Sequence, residues 1–204
     1  MELSLRNRIT AVREHKRRPW PDRVLEVLDD SVTGEVLLDE TLRYMKNDSD
    51  TITNWIDYLS GETWNLLKIG YQLKQVRERI AKGLVDKGVL RTEKKNFLIF
   101  DMATHPLSDS AIKKKLIGQV LDVLFSKNTN PDARTIALVC AAYAANLLEN
   151  VTSKLSYSQR EAAFTKADEI LRNNLNLSDA SKENGMTDVI VGVINVYSKL
   201  DNVL

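Results

Sequence analysis

Apolar residues along most of this chain recur at spacings of three and four positions, which is the pattern of amphipathic helices. On that pattern we predict helices over residues 36–45, 53–60, 71–87, 109–125, 133–151, 162–175 and 189–200. Shorter runs rich in β-branched residues predict two β-hairpins, one pairing residues 8–12 with 24–28 and one pairing 89–93 with 96–100. The expected fold class is therefore mainly α: a single compact helical domain over residues 1–204 with two small β-hairpins.

Some details of the helices depend on particular residues. Thr53 is expected to cap a short helix that ends at Gly61, because a hydroxyl satisfies the free N–H groups of a first turn. Residues 133–151 are so rich in apolar side chains that we expect one central, buried helix there. Trp55 and Trp64 are both expected to pack in the core.

Composition narrows the class of protein. The 204 residues are 43% hydrophobic and 28% charged, as in globular chains, and the net charge of +1 argues against a nucleic-acid partner. The single Cys140 permits no internal disulfide, which favours a reducing compartment, and with only His15 and His105 no metal site is expected. The longest apolar run is shorter than the ~20 residues that span a bilayer. Phosphate-binding glycine loops and catalytic serine or zinc motifs are missing, so we expect no enzyme and no cofactor.

The most informative charges lie in the predicted helix 71–87. With Leu73 at the centre of the apolar stripe, Lys74 and Arg77 project from one flank, about one helical turn apart. An arginine fork and a lysine point charge together can bind a phosphorylated headgroup. The alternative is that both cations lie along the stripe and pair with acids such as Glu78. The spacing leaves both possibilities open.

A second group of basic residues lies near the N-terminus. Its members, with one tryptophan among them, are Arg6, Arg8, Arg13, Lys16, Arg17, Arg18, Trp20 and Arg23. Such a group attracts an anionic leaflet by about 1 kcal/mol per charge near the surface. It is equally consistent with an ordinary exposed loop of the first hairpin.

The second hairpin lacks the usual alternation of apolar and polar residues. Lys94 and Lys95 separate its two runs and are expected to form its turn. The apolar residues assigned to its surface are Val89, Leu90, Phe97, Leu98, Ile99 and Phe100. Exposed apolar groups beside lysines suit membrane insertion or partner docking, whereas a strand buried on both faces would place them in the core.

Several long, ungapped runs are similar to one known family. These runs are residues 33–40, 54–57, 59–65, 71–79, 82–90 and 96–106. They include T-G-E-V-L-L-D-E, L-S-G-E-T-W-N and Y-Q-L-K-Q-V-R-E-R, which closely resemble the Golgi phosphoprotein 3 family. Residues 149–150 and the closing segment 189–204 are also similar to that family, so the resemblance covers essentially the whole chain.

The resemblance implies a function. Members of that family are peripheral proteins of the cytoplasmic face of the Golgi membrane that bind phosphatidylinositol 4-phosphate. They act as adaptors that retain Golgi glycosyltransferases by binding the cytoplasmic tails of these enzymes and the coat of retrograde vesicles. Lys74 and Arg77 match the two basic residues of the family's headgroup site. The second hairpin matches the family's hydrophobic hairpin, which implies membrane contact and homo-oligomers.

This sequence differs from the family pattern at its N-terminal end. The family pattern begins further upstream, with a basic tail that contacts the coat and a helix that supplies a tryptophan and an arginine to the lipid site. We therefore expect weakened lipid and coat binding, with Arg6 as a candidate substitute for the arginine. The alternative function is a protein-interaction module that binds glycosyltransferase tails through acidic surfaces around Asp39, Glu40 and Asp57.

Overall fold

Helices dominate the fold, as the hydrophobic pattern predicts. The computed structural model describes residues 1–12, 18–97, 100–125, 127, 130–175 and 187–200. The helices of these residues are α1 (Glu2–Leu5), α2 (Val36–Asn47), α3 (Ile52–Ser60), α4 (Val76–Asp86), α5 (Ser110–Leu124), α6 (Ala133–Ala144), α7 (Leu148–Thr152), α8 (Tyr157–Leu175) and α9 (Asp188–Leu200). Single turns of 3-10 helix lie at Trp20–Asp22 and Ile69–Tyr71. In the described part of the chain, none of the helices is long and apolar enough to cross a bilayer.

Two antiparallel pairs of strands are present, the first where it is predicted and the second four residues further along the chain than predicted. The first joins β1 (Ile9–Ala11) to β2 (Leu25–Val27), and the second joins β3 (Glu93–Phe97) to β4 (Phe100–Thr104). The predicted turn of the second hairpin is wrong, because Lys94 pairs with a residue of β4 and lies inside β3. Lysines are common in exposed edge strands, where they oppose further strand pairing.

The boundaries of α3 show how its ends are stabilised. The Thr51 hydroxyl accepts a hydrogen bond from the Asn54 N–H (3.2 Å), and Gly61 ends the helix at a φ of 84°. The prediction that Thr53 is the cap is wrong: its hydroxyl donates to the Pro21 carbonyl (3.1 Å) instead. Capping by Thr51 satisfies one of the N–H groups that the first helical turn leaves free.

The predicted helix over residues 133–151 is two helices. Helix α6 ends at Ala144, and α7 begins at Leu148. Between them Asn146 has a φ of 54°, a left-handed conformation that asparagine tolerates better than most residues. The prediction that this segment is buried is confirmed for α6, in which Ile136, Val139 and others are buried.

Three clusters of buried side chains form the core. The first joins α2, α3 and the β1–β2 sheet to the start of α9 and includes Leu42, Trp55 and Val189. The second lies among α6, α8 and α9, and the third is formed by α5, α6, α7 and α8. Helix α9 therefore links the N-terminal half of the chain to the C-terminal helices. The prediction that Trp55 is a core residue is confirmed.

Helix α4 lies outside these clusters. The predicted helix 71–87 is wrong at its N-terminus, because the helix begins only at Val76 and the preceding Gln75 has a φ of 52°. No residue of α4 is buried, and Val76 and Ile80 of the predicted apolar stripe are exposed. The turn before α4 is attached to α3, since the Leu73 N–H donates to the Leu59 carbonyl (3.1 Å). That attachment leaves α4 at the surface.

Candidate anion-binding site

Lys74 and Arg77 lie on either side of the start of α4. Lys74 precedes Val76, the first helical residue, by two positions, so it is not on the helix. The predicted geometry, in which both cations project from one flank of a continuous helix, is therefore wrong. The break at Gln75 therefore places Lys74 just before α4 and Arg77 in its first turn.

The side chains of these two cations are free of acidic partners. Both residues are exposed, and within the described residues neither side chain has a hydrogen bond or ion pair. The neighbouring Arg79 differs, because its guanidinium pairs with Glu40 of α2 and donates to the Lys74 carbonyl (3.2 Å). Arg79 thus attaches α4 to α2, while Lys74 and Arg77 remain available to a ligand.

The backbone at the start of α4 also favours an anion. Gln75 makes no side-chain capping hydrogen bond, so the first N–H groups of this eleven-residue helix lack a side-chain acceptor. Those N–H groups and the helix dipole attract negative charge. Glu78 is the acidic residue of the first turn and opposes that attraction. Two cations and an uncapped helix start together form a surface suited to a phosphate group.

The loop of residues 62–70, which precedes α4, contradicts a further prediction. Trp64 was expected in the core but is 98% exposed, and Leu66 and Leu67 are also exposed. The sequence pattern alone did not identify these residues as surface groups. A usable signal was present: apolar residues in this loop follow neither the helical period nor strand alternation.

Comparison with known proteins identifies the family. The family model described as Golgi phosphoprotein 3 matches residues 1–185. The chain is also 44% identical over 244 residues to vacuolar protein sorting-associated protein 74 of Eremothecium gossypii, which covers all of this chain and 74% of the relative. It is 49% identical over 187 residues to the protein of the same name from Schizosaccharomyces pombe, which covers 84% of this chain and 56% of that relative. The chain belongs to the Golgi phosphoprotein 3 family.

The predicted N-terminal basic group is largely committed to internal partners in this family member. Arg6 bonds Glu2 (2.7 Å), and Arg8 pairs with Asp29. Arg23 pairs with Asp188 at 2.7 Å and stacks 3.7 Å from the ring of Trp20. Arg6 is therefore a structural residue here and not a free substitute for a lipid-binding arginine.

The rest of that basic group divides between residues that the structure describes and those that it does not. Arg18 has an interaction partner. Arg13, Lys16 and Arg17 lie outside the described residues. The described members thus form no freely available basic surface.

The hairpin of this Golgi phosphoprotein 3 family member is joined directly to α4. The N–H groups of Val89 and Leu90 both donate to the Leu84 carbonyl, at 2.9 and 3.2 Å. Phe97 pairs with Phe100 across β3 and β4, and Leu98 and Ile99 lie outside the described residues. Val89 and Leu90 are half-buried, so the start of the hairpin packs against the protein.

Two of the three acidic residues that were assigned to a tail-binding surface are bonded to other residues of the protein. Asp39 accepts hydrogen bonds from the Thr33 hydroxyl (2.6 Å) and N–H (2.7 Å), which lower the pKa of its carboxyl. Glu40 accepts from the Tyr44 hydroxyl (2.8 Å) and pairs with Arg79, and these contacts lower its pKa despite partial burial. Burial, with a smaller contribution from the nearby Glu62 charge, raises the pKa of Asp57. Only Asp57 thus remains a candidate for an acidic docking surface.

An acidic groove lies elsewhere on the described surface. It has a volume of about 670 Å³ and lies between β2 and the end of α2. Its charged lining residues are Glu26, Asp30, Lys46 and Asp48. This groove could not be predicted from the sequence, because its lining comes from separate segments and no local pattern indicates that they lie together.

Metal and thiol chemistry receive no support. Among the described residues no group of three or more histidine, cysteine or acidic side chains could hold a metal ion. Cys140 is 1% exposed, and burial raises the pKa of its thiol to about 12. Its predicted role as a small core residue is confirmed.

Proposed function

We propose that this protein is a peripheral adaptor of the cytoplasmic face of the Golgi membrane that binds phosphatidylinositol 4-phosphate through Lys74 and Arg77. Its role is to retain Golgi glycosyltransferases by linking their cytoplasmic tails to retrograde vesicles. Family membership supports the Golgi association. The observation that carries the lipid assignment is the pair of unpaired cations at the uncapped start of α4.

The chemistry of the site matches a phosphate monoester. A phosphate group of this kind carries a charge of about −1.5 to −2 near neutral pH and has several strong acceptor oxygens. The planar fork of Arg77 can donate two parallel hydrogen bonds to such oxygens, while Lys74 supplies a point charge. The first N–H groups of α4 add donors that cost no side-chain ordering.

The hairpin supplies the apolar part of the proposed membrane contact. The residues that lead into it, Val89 and Leu90, bond the Leu84 carbonyl of α4, so one short helix lies between the headgroup site and the hairpin. The segment 97–100 would contact the bilayer or a second copy of the chain, and the half-buried Val89 and Leu90 would attach it to the protein. Contact with the vesicle coat also belongs to this proposal.

Vesicle sedimentation tests the lipid assignment. Phosphatidylcholine vesicles that contain phosphatidylinositol 4-phosphate are compared with vesicles that contain unphosphorylated phosphatidylinositol. We expect Lys74→Ala with Arg77→Ala to weaken binding to the former at least about tenfold, because each hydrogen bond to a charged group contributes about 1.5–3 kcal/mol.

A matched variant controls for net charge. Lys113→Ala with Lys114→Ala removes two exposed positive charges from α5 and should bind nearly as the wild type does. Circular dichroism would establish that all variants remain folded. Equal binding by the α4 and α5 double variants would contradict the assigned site.

A protein-interaction module that binds tails without lipid is the second candidate function. The groove beside β2 favours it through Glu26, which has no ion-pair partner among the described residues, whereas Asp30 and Asp48 are already paired with Lys46 and Lys68. Fluorescence anisotropy with a lysine- and arginine-rich tail peptide, in the absence of lipid, tests this function. Glu26→Lys should abolish the binding, and unchanged affinity would exclude the groove.

A further inference from the structure

The loop of residues 62–70, called the apolar loop below, exposes an unusual amount of apolar surface. Its large apolar side chains are exposed to 98% (Trp64), 81% (Leu66), 91% (Leu67) and 47% (Ile69). Single exposed apolar residues are common on protein surfaces, but four within six positions form a patch. Such patches typically mark a surface that contacts a membrane or another protein.

The apolar loop is held in its conformation by specific hydrogen bonds. At its base the Leu73 N–H donates to the Leu59 carbonyl. At its tip the side-chain oxygen of Asn65 accepts from the Leu67 N–H (3.1 Å), and its carbonyl accepts from the Lys68 N–H (2.9 Å). The sequence thus fixes a loop that presents apolar groups outwards.

A second attachment holds the C-terminal part of the loop against Asp48, the residue that follows α2. The Lys68 ammonium pairs with Asp48, which also accepts from the Tyr71 hydroxyl (3.0 Å). The Tyr71 ring lies 5.5 Å from the buried Trp55 ring. Lys68 is therefore occupied, and Glu62 is the single acidic residue of the loop.

The charges beside the loop indicate a bilayer as the partner. The chain passes from the base of the loop at Leu73 to Lys74 and Arg77, two cations that have no acidic partner among the described residues. Apolar side chains next to free cations complement an anionic leaflet, whose headgroups are negative and whose interior is apolar. Tryptophan is also enriched at the boundary between headgroups and acyl chains.

We propose that the apolar loop inserts Trp64, Leu66 and Leu67 into the lipid bilayer next to the headgroup held by Lys74 and Arg77. This inference rests on the proposed function, because it makes the loop the apolar part of the same membrane contact. Headgroup binding makes the interaction specific for the phosphate, and loop insertion prolongs the time that the protein stays bound to the membrane.

The first test compares vesicle binding with binding of the soluble headgroup, glycerophosphoinositol 4-phosphate. Leu66→Ser with Leu67→Ser should weaken binding to vesicles that contain phosphatidylinositol 4-phosphate at least about tenfold. The same variant should bind the soluble headgroup with wild-type affinity in calorimetry. The matched control, Val32→Ser with Tyr157→Ser, alters two residues that are 81% and 83% exposed elsewhere and should bind vesicles normally.

The second test follows tryptophan emission. Adding these vesicles should shift the wild-type emission to shorter wavelength, and Trp64→Phe should abolish the shift while Trp20 and Trp55 remain. Wild-type vesicle binding by the leucine double variant, together with unshifted emission, overturns the inference. Conversion of a dimer to a monomer by that variant with vesicle binding unchanged also overturns it, in favour of a second copy as the partner.

The outcomes separate this inference from the proposed function. Loss of vesicle and headgroup binding in Lys74→Ala with Arg77→Ala, without any effect of the leucine variant, supports the headgroup site and rejects loop insertion. Insertion of Trp64 into phosphatidylserine vesicles, without binding of the soluble headgroup by the wild type, supports the loop and rejects the headgroup site.

Discussion

The hydroxyl of Tyr58 provides a quantitative test of how α3 is stabilised. Tyr58 is 6% exposed and donates to a carboxylate oxygen of Asp50 (2.6 Å). The other carboxylate oxygen accepts from the Asn54 side chain (2.6 Å) and the Thr51 N–H (2.7 Å). Tyr58→Phe keeps the ring, which packs edge-on against Trp55 at 5.6 Å, and removes only the donor.

The expected cost follows from the charge on the acceptor. A hydrogen bond to a charged group contributes about 1.5–3 kcal/mol, and Asp50 keeps its other donors in the variant. We expect Tyr58→Phe to lower the free energy of unfolding at pH 7 by about 1.5–3 kcal/mol, measured by urea denaturation. Tyr157→Phe is the matched control, because Tyr157 is exposed and its hydroxyl has no partner among the described residues; it should cost less than about 0.5 kcal/mol.

The difference in stability between wild type and Tyr58→Phe should also depend on pH, which a simple loss of packing would not explain. Burial raises the pKa of Asp50, but the hydrogen bonds from Tyr58, Asn54 and Thr51 outweigh it and leave the pKa below its ordinary value. The hydrogen bond to Asp50, with burial, raises the pKa of Tyr58 to about 12. Ordinary values in an unfolded chain are about 3.9 for aspartate and about 10 for tyrosine.

The signs of these two shifts set a window of pH. The Asp50 contribution is present above about pH 4 and is lost as the pH falls through the lowered native pKa. The Tyr58 contribution is present below about pH 10 and is lost as the pH rises towards 12. The difference in stability between wild type and Tyr58→Phe should therefore form a plateau between about pH 4 and 10. A difference below 0.5 kcal/mol (about a third of the smallest expected cost), or one unchanged between pH 3 and 7, would refute this reasoning.

Two further predictions concern the core. Gly192→Ala should lower the free energy of unfolding by about 1–3 kcal/mol, because the added methyl group would lie 3.0 Å from the Trp20 carbonyl oxygen and against the buried Ile52. Gly118→Ala has open space and should instead stabilise the protein by about 0.5–1 kcal/mol in the same urea measurement; equal effects would contradict the packing argument. Cys140 should resist iodoacetamide at pH 8 in the native state, since its thiol is buried with a pKa of about 12, and should react quickly in urea. Fast native alkylation would show that α6 is not packed as described.

Local signals were sufficient for most helices and for the first hairpin. Helices α5 and α6 begin after Asp109 and Asp132, whose side chains accept hydrogen bonds from the first turn, and both helices follow the apolar period. The sequence also led to the family, because runs such as residues 71–79 are long and specific. Propensity, capping and period act within a few residues, so they can be read without knowing the fold.

The errors arose where a distant contact competes with a local preference. Residues 71–75 have the composition of a helix, yet the hydrogen bond between Leu73 and Leu59 draws them onto α3 and moves the helix start to Val76. Trp64 is predicted to be buried, but none of the elements that the structure describes covers its loop. Composition predicts how favourable burial is, and not whether a partner surface exists.

The sequence by itself determined the class of fold, most of the helices, the family, and the identity of Lys74 and Arg77 as candidate ligands. Only the tertiary structure decided that these two cations flank an uncapped helix start, that Arg79 is paired with Glu40, and that the apolar loop preceding them in the chain is exposed. The physical reason is the difference in range along the chain between the interactions involved. Hydrophobic period and capping act along the chain over a few residues, whereas the availability of a charge or an apolar side chain depends on which distant segments pack against it.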